Sequence, residues 1–282
     1  MSNKQPIRII PKLDIKNGLL IKGINLEGLR VLGDPFYFAR EYYNQGADEI
    51  CYLDNVATLY GTNNLSKFIS KTAKDIHIPI SVGGGIRTYH DIENALVSGA
   101  DKICLNSKII DDPNFLKKSC RLFGSSNITA IIETTLIEGK YFITKSNGRD
   151  LKEIDPVSWA KKIEDLGAGE IFLTCVHKEG LKSGFDLKII KKISHSVKLP
   201  VIAHGGAGKF SDILDVIENS KVSGVAISSL FHYETCLSFP LPKVFTGNME
   251  FLKRYQNENK NLNIKIIKNL KKYLKRNNIE IR

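Results

Sequence analysis

The sequence predicts a single (β/α)8 barrel, a TIM barrel with an internal half-barrel repeat, from three observations. Short β-branched runs alternate with amphipathic stretches throughout, the pattern of β-α units that build a parallel sheet. Eight such units follow one another, which is the number that closes a barrel. The chain of 282 residues, 42% hydrophobic, matches the roughly 250 residues such a domain takes. Residues 1–282 are therefore read as one barrel, with an insertion at about 235–262 before the last helix.

Strands are expected near 7–15, 48–55, 78–84, 102–107, 128–135, 170–176, 200–205 and 224–231. Helices are expected near 35–45, 64–76, 89–98, 112–123, 156–166, 186–197, 209–219 and 263–277. Three helices open on Asp-Pro, at Asp34-Pro35, Asp112-Pro113 and Asp155-Pro156. There the carboxylate caps free amides and proline suits the first helical position. The halves echo each other: GADEICYLD (46–54) reads like GAGEIFLTC (167–175), and GGGI (83–86) like GGAG (205–208), both displaced by about 121 residues. A repeat of four β-α units implies two matching sites facing each other across one barrel mouth.

The opening MSNKQPIRII lacks the apolar stretch of a signal peptide, and no window approaches the roughly 18 apolar residues of a membrane span. A soluble cytoplasmic protein with no membrane partner is expected. The net charge of +11 invites a nucleic-acid reading, but much of the excess sits in Lys265, Lys268, Lys271, Lys272, Lys275 and Arg276. Ile266, Ile267, Leu270 and Leu274 interleave with them at helical spacing, so these cations read as the solvated face of a packed helix and no nucleic acid is expected. Five cysteines at scattered spacings, without a Cys-x-x-Cys pair, read as free thiols packed like small apolar residues. No metal and no cofactor are inferred.

Glycine runs placed directly after strands let backbone N–H groups approach an anion, as in SVGGGIR (81–87) and AHGGAGK (203–209). Two such loops in symmetric positions favour a ligand with phosphate at both ends. Gly84, Gly85, Asn106 and Ser107 form one expected cup; Gly205, Gly206, Ser228 and Ser229, the last two assigned to strand eight, form the other.

Polar residues at the C-terminal ends of barrel strands are candidates for catalysis. Asp14 ends strand one and Glu133 ends strand five, at like places in the two halves, so they should face one another and serve as general acid and base. Asp54, Lys22, His177 and His204 lie at neighbouring strand ends. At the opposite ends, Arg8, Glu49, Lys102 and Glu170 form either a compensated ring around the barrel axis or solvent-exposed charges that serve stability.

Together these residues resemble the cyclase subunit of imidazole glycerol phosphate synthase, the HisF family of histidine biosynthesis. The pieces that carry the resemblance are IIPKLDIKNG, IKGINLEGLR, GDP, GADEICYLD, SVGGGIR, GADKICLNS, GAGEIFLTC, KSGFD and PVIAHGGAGK, spread from about Ile7 to Phe231, with a return at the terminal NNIEIR. The resemblance implies that ammonia from a partner glutaminase (HisH-like, forming a heterodimer) crosses the barrel and attacks a phosphoribulosyl formimino carboxamide ribotide. The products are imidazole glycerol phosphate and an aminoimidazole carboxamide ribotide. It further implies that Asp14 is catalytic, that Lys22 and Gly180 join the substrate and phosphate contacts, and that Arg8, Glu49, Lys102 and Glu170 are an ammonia gate.

The sequence departs from the family pattern at the catalytic face. Glu133 stands where a second catalytic aspartate is usual, and Lys12 where a cysteine is usual. His177, Glu179 and Leu181 replace Asp, Asp and Thr, and His204 replaces a serine. The leading expectation is the ammonia-dependent cyclase. The alternative is a cyclase-like, ammonia-channelling subunit for amidation of a bacterial surface sugar. A sister aldose–ketose isomerase would share the repeat but has no need of the gate.

Overall fold

The computed structural model describes residues 6–54, 65–238 and 265–282. Eight parallel strands close on themselves: Arg8–Lys16, Ile50–Asp54, Ile80–Gly83, Lys102–Leu105, Ile128–Ile137, Glu170–Cys175, Val201–His204 and Gly224–Ile227. Each pairs with the next, and the last pairs back onto the first through Arg8↔Gly224 to Pro11↔Ile227. The expected helices follow as Pro35–Asn44, Leu65–Asp75, Tyr89–Val97, Pro113–Phe123, Pro156–Asp165, Leu187–Ser196, Phe210–Asn219 and Ile266–Arg276. The Asp-Pro starts are capped by side chains, since Asp34 accepts from the Phe36 amide at 2.9 Å, Asp112 from Phe115 at 3.3 Å and Asp155 from Ser158 at 2.7 Å.

Alternation along the strands divides the apolar residues into two clusters. Ile9, Leu13 and Ile15 of the first strand pack outward with the helices, in one cluster with Phe38, Ile69, Trp159 and Ile190. Ile10 points the other way, into a small interior cluster with Cys51, Leu53, Cys104, Ile131, Phe172, Ile202 and Ala226. This layer forms the middle of the barrel and separates the two charged ends described below.

Two hairpins were absent from the expected elements. The first barrel strand continues into Leu19–Ile24 and Glu27–Gly33, and the fifth into Lys140–Lys145 and Asp150–Lys152. Their tight turns, Asn17-Gly18 and Glu138-Gly139, both have positive φ at both residues and are again displaced by about 121 residues. The repeat is also visible in how the chain approaches itself. Gly84 (φ +102°) lies so close to the Asp54 carbonyl that an added Cβ would sit 2.3 Å from it, and Gly205 (φ +99°) stands likewise against the Cys175 carbonyl at 2.6 Å. Only glycine fits either place.

Some boundaries need correction. Strand eight ends at Ile227, because Ser228 already accepts a helical bond from the His232 amide at 2.9 Å and Ser229–Ser238 is a helix. Ser228 and Ser229 therefore occupy a strand–helix junction instead of a strand. Strand six ends at Cys175, and His177 lies in the following 3-10 turn, Val176–Lys178. The insertion expected at about 235–262 begins inside that eighth-strand helix; residues 239–262 lie outside the described residues. In the last helix Ile266, Ile267, Leu270 and Leu274 are buried as expected, but Lys271 is no solvated bystander: it binds Asp48 at 2.6 Å. All five cysteines are free and buried. Among the described residues, no helix is long and apolar enough to cross a membrane.

Candidate active site

The mouth at the C-terminal strand ends is built from side chains that alternate inward. On strand one, Lys12 and Asp14 follow Arg8 and Ile10 on the same face. Asp14 is opposite Leu53 in the neighbouring strand, and Glu133 is opposite Thr174, the residue that corresponds to Leu53 in the second half. Both carboxyls also sit where a barrel strand passes into its hairpin, opposite Ile21 and Thr144 respectively. They therefore occupy equivalent positions, as the repeat predicts.

Their surroundings differ. Asp14 is 1% exposed, is bonded by the Lys12 ammonium and has Lys22 Nζ 3.7 Å from its other oxygen. Lys22, itself fully buried on the first hairpin, is bonded by Glu179 from the loop after strand six. Burial works against the Lys22 charge, yet Glu179 and Asp14 outweigh it and raise its pKa. Burial likewise pushes the Glu179 carboxyl up, but the charge of Lys22 above all holds it below the ordinary carboxylate range. His204 Nδ1 is 3.5 Å from Glu179, and burial pushes this imidazole down to about 4, so it is neutral near pH 7. Its Nε2 lies 3.4 Å from Ser228 Oγ, which donates to the Lys12 carbonyl at 2.8 Å.

Glu133 lines an open cavity of about 380 Å³ instead. It accepts the Gly148 amide at 2.9 Å from the second hairpin. Burial pushes its carboxyl up to about 7, against the pull of that amide, Lys12 and Asn106; Asp14 adds to the rise. A carboxyl poised there can both give and take a proton near neutrality. The shift has a consequence for stability. The folded chain holds the Glu133 proton more tightly than the unfolded chain, where its value is the ordinary 4.5. Its contribution is then complete below about 4.5 and is lost as pH rises through about 7. Glu133→Gln removes this loss, so the stability of the variant relative to wild type should grow by about 3 kcal/mol between pH 4.5 and 8. Urea unfolding at a series of pH values measures it; parallel curves for the two proteins would contradict the raised value.

The first glycine cup opens into the same cavity, whose wall includes Lys12, Asp54, Gly84, Gly85, Asn106 and Ser107. Asn106 Oδ1 is buried without a hydrogen-bond partner, and its amide can turn to offer hydrogens to a ligand. On the other side Ser229 Oγ is also buried without a partner, at the start of a ten-residue helix. The second cup is tighter, since the loop after strand six closes on it: Gly184 donates to the Gly206 carbonyl at 2.9 Å, and Gly180 packs against the Gly23 carbonyl. Ser228 is already engaged and His204 fills the adjacent interior. The two cups are thus alike in backbone and unlike in access.

His177, expected beside these groups, pairs instead with Asp186 at 2.9 Å, which also accepts from the Tyr141 hydroxyl. Leu181 is exposed. Lys12 and Glu179, in the sequence only departures from the family pattern, are the ion-pair partners of Asp14 and Lys22. Among the described residues, no group of three or more His, Cys, Asp and Glu side chains is placed to hold a metal ion.

At the opposite end the four charges close into a ring. Arg8 binds Glu49 at 3.0 Å and also bonds Glu170, while Lys102 binds both glutamates at 3.0 Å. Ser81 donates to Glu49, and Arg8 reaches Ser223 at 3.1 Å. Burial opposes the charge of Arg8 and Lys102, but the glutamates outweigh it and raise both pKa values. Four charges held this way neutralise one another, which makes their burial tolerable. The geometry excludes the reading as separate solvent-exposed charges.

The family described as histidine biosynthesis protein matches residues 8–236, the span of the whole eight-strand closure. The chain belongs to this family. Among curated proteins of this kind, the imidazole glycerol phosphate synthase subunit HisF of Legionella pneumophila is 46% identical over 213 residues, 75% of this chain and 99% of its own length. The HisF subunit of Lactococcus lactis subsp. cremoris (strain MG1363) is 43% identical over 228 residues, 80% of this chain and 88% of its own. That of Alkaliphilus metalliredigens (strain QYMF) is 39% identical over 248 residues, 88% of this chain and 98% of its own. Within the histidine biosynthesis family, the chain is thus a HisF-type barrel over nearly the full length of these relatives.

Proposed function

We propose that this protein is the ammonia-dependent cyclase subunit of imidazole glycerol phosphate synthase, a lyase. It would convert the phosphoribulosyl formimino carboxamide ribotide to imidazole glycerol phosphate and aminoimidazole carboxamide ribotide. The observation that carries this reading is the placement of Asp14 and Glu133 in equivalent registers of the two half-barrels, at a mouth flanked by two glycine cups. A substrate with phosphate at each end spans such a mouth with its reactive centre over the barrel axis, between the two carboxyls. Asp14, whose oxygens face two ammonium groups, serves as the acceptor, and Glu133 exchanges the second proton.

Ammonia would enter from the N-terminal face, where a HisH-like glutaminase docks to form a heterodimer, and pass the ring of Arg8, Glu49, Lys102 and Glu170. Beyond it lies the apolar layer around Ile10, Phe172 and Ala226. Such a layer suits a small neutral molecule and excludes ammonium. The reaction takes place in the cytoplasm, and the barrel is one domain. The surface-sugar amidation alternative finds no support among the relatives.

Turnover of the ribotide with free ammonium tests the reading without requiring a partner. Product formation is expected. A folded protein that binds inorganic phosphate at the first cup, Gly85 and Asn106, yet gives no turnover at saturating ammonium would overturn it. In a ligand-bound crystal structure the two phosphates should lie near Gly85 and Asn106 and near Gly206 and Ser229.

A further inference from the structure

The buried charged groups around Asp14 form a balanced set. Two ammonium groups, Lys12 and Lys22, face two carboxylates, Asp14 and Glu179. The histidines packed beside them, His204 and His232, are neutral because burial pushes them down to about 4 and about 3. Glu133 lies outside this set, on the cavity wall, and among the described residues no ammonium is ion-paired with it. Ionising it would place an uncompensated negative charge in a buried site, a costly event. Lys12 belongs to both neighbourhoods: it bonds Asp14, and it lines the cavity together with Glu133.

Lys12 is also held unusually firmly from behind. Its carbonyl accepts from Ser228 Oγ at 2.8 Å and from His232 Nε2 at 3.0 Å. A carbonyl can only accept, so His232 carries its hydrogen on Nε2, and its Nδ1 accepts from the Tyr42 hydroxyl at 2.6 Å. Tyr42 and His232 are fully buried and stacked, 5.8 Å between ring centres. This chain from the first helix through His232 fixes the backbone from which Lys12 reaches inward. Three side chains that depart from the family pattern, Lys12, Glu179 and His204, are thereby joined in one network with Asp14.

We propose that Lys12 is a positioning residue for both carboxyls: it holds Asp14 as the proton acceptor and, from the shared cavity wall, keeps the proton of Glu133 exchangeable. The groups facing Glu133 are Lys12 and Asp14 from strand one, the Asn106 side chain and the Gly148 amide. Those facing Lys12 also include Lys22, Glu179, His204 and His232. Of the two ammonium groups, Lys12 is the one that acts on Glu133, and it does so across the cavity in which the ligand binds. The assignment deepens the cyclase reading, but it concerns proton placement and can be tested apart from turnover.

The test is a titration of the full-length protein labelled with carboxyl-13C glutamate, with the Glu133 signal identified by its loss in Glu133→Gln. Lys12→Met removes the ammonium, and Lys12→Arg keeps a cation. Without the cation the Glu133 midpoint should move upward by about half a unit to one unit, and with arginine it should stay near the wild-type value. The alkaline-to-acid balance of the pH–rate profile with free ammonium should move the same way in Lys12→Met. A purely structural role for Lys12 would alter stability and leave the midpoint in place, and an unchanged midpoint in folded Lys12→Met overturns the proposal. Should the methionine variant fail to fold, Lys12→Gln supplies the same comparison with a side chain that still hydrogen-bonds Asp14. Wild-type protein without turnover would remove the cyclase reading while the titration still decides the role of Lys12.

Discussion

Asp14→Asn should lower ammonium-dependent turnover by about a thousandfold, within the range of about 10²–10⁴ that general acid–base catalysis supplies. The substitution conserves size but removes the carboxylate that must take the proton. It also disturbs a buried ion pair, because Lys12 loses its bonded partner while Lys22 keeps Glu179. Breaking buried pairs costs roughly 3–5 kcal/mol, and the asparagine oxygen still accepts one hydrogen bond, so about 3 kcal/mol is expected. Rates therefore have to be read below the melting temperature of the variant, with folding followed by circular dichroism. A loss of less than about tenfold in folded protein would exclude Asp14 as the acid–base group.

Lys102→Met should separate the two sources of ammonia. Lys102 joins both glutamates of the ring, so its removal leaves Glu49 and Glu170 sharing Arg8 alone, with Ser81 still on Glu49. The two carboxylates then repel and the constriction loses its closed form. Turnover with free ammonium should stay within about twofold of wild type, because bulk ammonia reaches the mouth directly and the mouth is untouched. With a glutaminase partner and glutamine, cyclised product should fall by about tenfold or more while glutamate continues to form. Equal glutamate and product in the variant would mean that the ring does not govern passage. The four residues would then be a structural cluster in the barrel floor.

The barrel, its helices and its caps were legible because they rest on local signals. Short continuous apolar runs such as IFLT and VIAH mark strands, and Asp-Pro marks helix starts, wherever in the chain they occur. The half-barrel displacement also pointed to the equivalence of Asp14 and Glu133 and of the two glycine loops, since duplicated sequence fixes duplicated register. The hairpins after strands one and five were missed despite a signal: Asn17-Gly18 between two apolar runs is a hairpin turn, and Glu138-Gly139 repeats it half a barrel later. Their strands lie between residues 15 and 35 and between residues 135 and 156, where no element is expected from the sequence.

What lay outside the sequence is the pairing of charges. From their spacing, Arg8, Glu49, Lys102 and Glu170 could have been exposed singly, and only barrel closure brings residues as far apart as Arg8 and Glu170 into contact. Lys12, Glu179 and His204 looked like scattered losses of family residues, since nothing along the chain says that strand one, the loop after strand six and strand seven share one interior. Strand order and barrel closure alone were implied by periodicity; which buried charge faces which depends on side chains converging from separate strands. Their ionisation is decided there too, because desolvation and the nearest opposite charge, unlike strand propensity, exist only once the barrel has closed.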